Sequence, residues 1–162
     1  MTVSTTEESA INQEFVTGSL EDGASFLDHP DQIFDLVRLL PFGVGFAPGT
    51  RLCSELPDER FLPFLTVSLI DPAGPKFWAV EPWRLFDDYV IEIPEADVEL
   101  LELEGVDDVA VLVLITLGKD GPTANAFAPI VINRRTRRCA QVILEDSGFS
   151  CATPIDSRRA RP

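Results

Sequence analysis

The sequence predicts a mainly β fold: one domain, an antiparallel β-barrel-like architecture with one or two short helices. Three observations carry that reading. Short β-rich runs bounded by close turn signals fill residues 64–144. The prolines fall between those runs and not inside them, as ladder hydrogen bonding requires. Only one stretch carries clear helix-start signals. Such a pattern indicates a compact barrel or sandwich.

Residues 1–12 are polar, acidic and aperiodic, and are expected to form a disordered arm. Residues 13–155 are expected to form the β domain. Within it, 13–40 read ambiguously: from Asp31, apolar residues at 33, 34, 36, 37, 39 and 40 suit a buried strand or a helical turn. The bend PFGVGFAPG follows, where Pro41, Gly43, Gly45, Pro48 and Gly49 forbid regular structure.

Phe64–Ile70 reads as a strand between Pro63 and Asp71-Pro72, and Lys76–Val80 follows a turn at Ala73-Gly74-Pro75, so the two make a hairpin. Tyr89–Ile93 alternates well enough for a further strand. Pro94 opens a short helix, with acids in its first turn, apolar Val98 and Leu101 three apart, and Gly105 as a stop. Val109–Leu117 is apolar enough to be covered on both faces. Ala128–Asn133 and Cys139–Leu144 are two more strands, joined by Arg134–Arg138. Residues 156–162 form a basic tail, expected to be disordered.

At 162 residues the chain suits one domain, and it can hide roughly 70% of its unfolded surface without metals or disulfides. The net charge of −14 is unevenly spread. Residues 1–133 carry 24 acidic and 6 basic side chains, a net of −18; residues 134–162 carry 3 and 7, a net of +4. An acidic body opposes phosphate backbones and suits a basic protein partner. The N-terminus lacks the basic and apolar regions of a signal peptide, and the longest apolar run is far short of the roughly 20 residues a membrane helix needs. A cytoplasmic protein that binds neither membrane nor nucleic acid directly is expected.

No catalytic constellation is visible. His29, the only histidine, has no nucleophile or orienting partner nearby in sequence. Gly43–Thr50 misses dinucleotide spacing and has no P-loop lysine. Cys53, Cys139 and Cys151 show neither a disulfide framework nor zinc spacing. Asp87-Asp88 and Asp107-Asp108 read as solvated surface. The run RRTRR has no interleaved aromatics for base stacking and reads as a solvated hairpin turn. No cofactor, metal or catalytic residue is therefore expected. Thr123, Asn125, Asn133 and Gln141 stand out as polar residues between apolar runs, either satisfying turns and strand ends or recognising a partner.

At those residues the sequence resembles the flagellar assembly factor FliW family. Thr123–Leu144 is similar to the family run T-x-N-x-x-A-P-I-hydrophobic-I-N, a basic turn, then A-x-Q-hydrophobic-hydrophobic-L. Asn125, Ala128, Pro129, Asn133, Ala140 and Gln141 fall where that pattern places them. Pro63–Pro72 is similar to P-F-x-x-hydrophobic-x-S-hydrophobic-x-D-P, followed by Phe77, Pro82, Phe86 and Asp88-Tyr89. The resemblance covers about residues 40–155. It departs from the family in the shorter bend Gly43–Phe46, in the N-terminal region, and in Phe149 where Tyr is common.

The resemblance implies a non-enzymatic protein that binds flagellin in the cytoplasm and antagonises the translational repressor CsrA, coupling flagellin export to flagellin synthesis. An aromatic groove of Phe64, Phe77, Trp83 and Phe86 is the expected flagellin surface. Asp107 and Asp108 are expected to steer a basic partner, with Asn125, Asn133 and Gln141 as further contacts. The competing readings are a FliW-like domain with a different partner and, further off, a β-barrel hydrolase with convergent acids.

Overall fold

Runs of β-branched and aromatic residues become nine strands among the described residues of the computed structural model, which are 25–38, 49–70, 73–145, 147–156, 158 and 160. The strands are β1 (Gln32–Arg38), β2 (Arg51–Glu55), β3 (Leu65–Ile70), β4 (Lys76–Val80), β5 (Val109–Gly118), β6 (Gly121–Ala124), β7 (Ile130–Asn133), β8 (Arg138–Gln141) and β9 (Thr153–Pro154). One α-helix, α1 (Glu95–Leu100), and four short 3-10 turns complete this set. The expected arm at 1–12, the Gly43–Phe46 bend, and Arg159 and Arg161 of the tail lie outside the described residues.

Seven strands close a barrel in the order β4-β3-β2-β1-β8-β7-β5, with β5 returning to pair β4. All neighbours are antiparallel except β1 and β8. The exception follows from arithmetic: an odd ring cannot alternate direction throughout, so one pair must run parallel. β5 is long enough to leave the barrel, and beyond it pairs β6, which pairs β9.

Alternation sends one side chain in two inward. Phe34, Leu52, Leu65, Val67, Leu112 and Ile132 fill the barrel, and Phe26 adds to that cluster. The opposite face of β5, with Val109, Val111, Val113 and Ile115, is buried too, against Ile91, Ile93, Val98 and Leu101. Fully burying one such side chain is worth about 1.5–3 kcal/mol. β5 is therefore covered on both faces, as its unbroken apolar run predicts, until Thr116 to Gly118 emerge into solvent.

Two expectations need correction. Tyr89–Ile93 is not a strand: Tyr89, Ile91 and Ile93 are buried and Glu92 is exposed, yet the segment joins no ladder. Alternation here reports packing onto the outer barrel wall, not pairing. The helix also ends earlier than Gly105. Leu101 closes it and Glu102 takes a left-handed φ of 57°, with Glu102 N–H donating to the Glu99 carbonyl and Leu103 N–H to that of Val98. Glycine usually takes that position; here glutamate does.

Candidate partner-binding surface

After Ala124 the residue-by-residue pairing with β5 lapses for five residues, with one bond kept from Asn125 N–H to the Leu114 carbonyl at 2.9 Å. Ile115 pairs Ala124 and Leu112 pairs Ile130, so Asn125–Pro129 bulges out opposite only two residues. Asn125 Oδ1 accepts from Ala128 N–H at 3.0 Å, a local turn that fixes the excursion. The loop's remaining backbone groups find distant partners. Tyr89 Oη donates to the Ala126 carbonyl at 2.9 Å, Leu144 N–H to that of Phe127, and Gln141 Nε2 to that of Ala128. Burial pushes the Tyr89 phenol well above its ordinary value.

Asn133 and Gln141 are both 0% exposed. Asn133 donates to the Leu101 and Glu102 carbonyls at 2.8 and 3.0 Å and accepts from Arg135 and Thr136 N–H at 2.9 and 3.1 Å. Neither residue offers surface to a partner in this conformation, and Asn125 is half-buried with its oxygen engaged. These are turn and strand-end ties.

The basic turn is likewise spent internally. Arg138 Nε donates to the Leu100 carbonyl and Arg135 Nη2 to that of Glu102, both at the end of α1. Cationic donors suit that end of a helix. Arg137 reaches Gln32 Oε1 and lies 4.6 Å from the centre of the Phe34 ring. Arg134 Nε donates to the Val109 carbonyl.

The four aromatics divide. Phe64, Trp83 and Phe86 pack half-buried against the outer cluster, whereas Phe77, also half-buried, packs against the barrel-interior cluster, because it neighbours Trp78 on β4 and faces the other way. Phe86 stacks on Tyr89 at 6.1 Å and meets Phe149 at 5.4 Å. A sequence reading misses Phe61 and Leu62, which are 45% and 40% exposed, with Phe61 5.2 Å from the ring of Trp78.

Asp107 is exposed. Asp108 is half-buried, its Oδ2 accepting from Glu104 N–H while Oδ1 lies 3.6 Å from Arg135. Glu81 and Arg84 form a buried pair at 2.7 Å, and Glu81 also accepts from Ser25 Oγ and Phe26 N–H. His29 is exposed, and burial pushes the Cys139 and Cys53 thiols upward. No group of three metal-ligating side chains occurs, and no helix is long and apolar enough to cross a membrane, among the described residues.

A cleft of about 570 Å³ lies between residues 88–94 and 143–149. Among the described residues its walls carry Asp88, Glu92, Asp97 and Glu145 against one cation, Arg38, over an apolar floor that includes Val90, Ile143 and Phe149.

The family model described as FliW protein matches residues 31–155, which takes in the whole barrel and its outer layer. The chain belongs to the FliW family. It is 37% identical over 109 residues to the flagellar assembly factor FliW of Bacillus licheniformis, spanning 66% of this chain and 76% of that one. Against the Syntrophus aciditrophicus FliW it is 37% identical over 118 residues, 71% and 73% of the two chains. The fold agrees with the crystal structure of the flagellar assembly factor FliW at a TM-score of 0.65 and 28% identity, over 76% of this chain and 85% of that chain. The relatives it matches are flagellar assembly factors and not enzymes. Asn125, Ala128, Pro129, Asn133 and Gln141, the FliW-like residues of this chain, build the excursion and the ties that close the barrel.

Proposed function

We propose that this FliW chain binds flagellin in the cytoplasm before export and, once flagellin is exported, binds and antagonises a CsrA-type translational repressor. The observation that carries the reading is membership of the FliW family across the entire barrel. The chemistry of the surface supports it. A repressor that binds mRNA presents a basic surface, and this chain holds an acidic body with Asp107, Asp88, Glu92 and Glu145 exposed. Phe64, Trp83 and Phe86, half-buried on the outer face, are the apolar surface assigned to an amphipathic flagellin helix. The regulatory logic is linkage: whichever partner holds the chain sets how much of it is available to the other.

Calorimetric titration with flagellin and, separately, with the CsrA-type repressor of the same organism tests the reading. Saturable binding to each is expected, and a third titration with both present shows whether one excludes the other. Folded protein that binds neither overturns the reading in favour of a FliW domain with an exchanged partner.

A further inference from the structure

We infer that the cleft between residues 88–94 and 143–149 is a strand-addition site, taking an extended, basic segment of a partner protein alongside Ile143. The inference rests on the proposed basic partner for its biology, and on three observations for its physics. The first is an unused backbone edge. Val142 and Leu144 N–H donate to the Pro129 and Phe127 carbonyls, at 2.9 Å each. In an extended chain the intervening residue directs its N–H and C=O to the opposite side. Ile143 makes no hydrogen bond to another described residue, and it lines the cleft.

The second observation is where the cleft lies in the sheet. Among the described residues, the last pair that joins β1 to β8 is Arg38 with Ala140. Arg38 then turns its guanidinium onto the Gln141 carbonyl and Asp97. The cleft is bordered by Arg38 and Ile143 on this side and by Val90 and Glu92 on the other, and the backbone of residues 90–93 also bonds to no other described residue. An extended backbone with unmet donors and acceptors is a template for another strand.

The third is charge. Arg38 satisfies Asp97, which leaves the exposed carboxylates of Asp88, Glu92 and Glu145 without an ion-pair partner among the described residues. Val90, Ile143 and Phe149 are half-buried between them. Alternating Lys or Arg with apolar residues on an incoming strand places its cations on the carboxylates and its apolar side chains on the floor.

The test titrates the full isotope-labelled chain with a capped synthetic peptide in which lysine and valine alternate, and follows backbone amide shifts. Shifts confined to residues 88–97 and 140–149 are expected, and they should vanish when alternate peptide nitrogens are methylated. Shifts spread over other acidic surfaces, no shifts at all, or binding indifferent to methylation each overturn strand addition. In parallel, Glu92→Lys/Glu145→Lys should weaken the CsrA-type repressor at least about tenfold, while Glu59→Lys/Asp120→Lys, an equal charge change on other exposed turns, should change it less than about threefold. Equal effects from both pairs overturn the cleft as the repressor's site. A repressor that fails to bind the unmodified chain sinks the proposed function instead, and the peptide result then decides the cleft on its own.

Discussion

Asn133 Nδ2 lies 2.8 Å from the carbonyl oxygen of Leu101, joining the end of β7 to the end of α1 across 32 residues of sequence. The same amide holds Glu102 in its left-handed turn and orders the Arg135 and Thr136 N–H groups of the arginine turn. One side chain thus ties the outer helical layer to the barrel. Asn133→Ala leaves these buried groups unmet, and a loss of about 2–4 kcal/mol in chemical denaturation is expected. Asn133→Asp should cost more than Ala, because a carboxylate then faces two carbonyl oxygens.

The chain's single tyrosine gives a second, spectroscopic prediction. Burial raises the Tyr89 phenol in the folded state, so folding favours the protonated form. The stability this contributes is complete below the unfolded value near 10 and is lost as pH rises above it. Phenolate absorbance at 295 nm should therefore appear together with unfolding, as one cooperative step, instead of as a separate titration near pH 10. Tyr89→Phe removes the bond to Ala126 and should lower stability by about 1–2 kcal/mol at neutral pH.

Much of this architecture is readable in the sequence, for physical reasons that also mark where reading stops. The apolar run of β5 reports burial on both faces because hydrophobicity follows environment directly. Alternation at Tyr89–Ile93 reports burial equally well, and for that reason cannot tell a paired strand from an extended cover lying on a sheet. Asn133 and Gln141 carried a usable signal: single amides inside the runs IVIN and AQVIL fit buried polar ties better than contact residues. The roles of the arginines were not legible, because their partners are carbonyls of α1 more than thirty residues away. The parallel β1–β8 pair becomes deducible only after the seven members of the ring are counted.

Glu81 and Arg84 test how the buried polar cluster contributes. They are 2% and 7% exposed, and Arg84 also donates to Ser25 Oγ at 2.8 Å, so the cluster clips residues 25 and 26 to the turn after β4. Removing one charge strands the other in a poorly solvated site. Glu81→Leu and Arg84→Leu should each destabilise by about 3–5 kcal/mol, and the double variant by clearly less than the sum. A double-mutant cycle from urea unfolding measures the difference; strict additivity would mean the two residues act independently.

Asp107 separates steering from structure. It is exposed, whereas its neighbour Asp108 accepts from Glu104 N–H and faces Arg135. Asp107→Lys should leave folding stability within about 0.5 kcal/mol, as surface changes ordinarily do. It should slow association with the CsrA-type repressor several-fold at low salt and hardly at all at high salt, because exposed charges act over a Debye length of about 10 Å at 0.1 M. Stopped-flow rates across a salt series read this directly. Asp108→Lys should instead lose stability as well, since the introduced ammonium meets the Arg135 guanidinium and the Glu104 N–H loses its acceptor. A Asp107→Lys rate that is low at every salt concentration would mean that this aspartate touches the repressor, and does not only attract it.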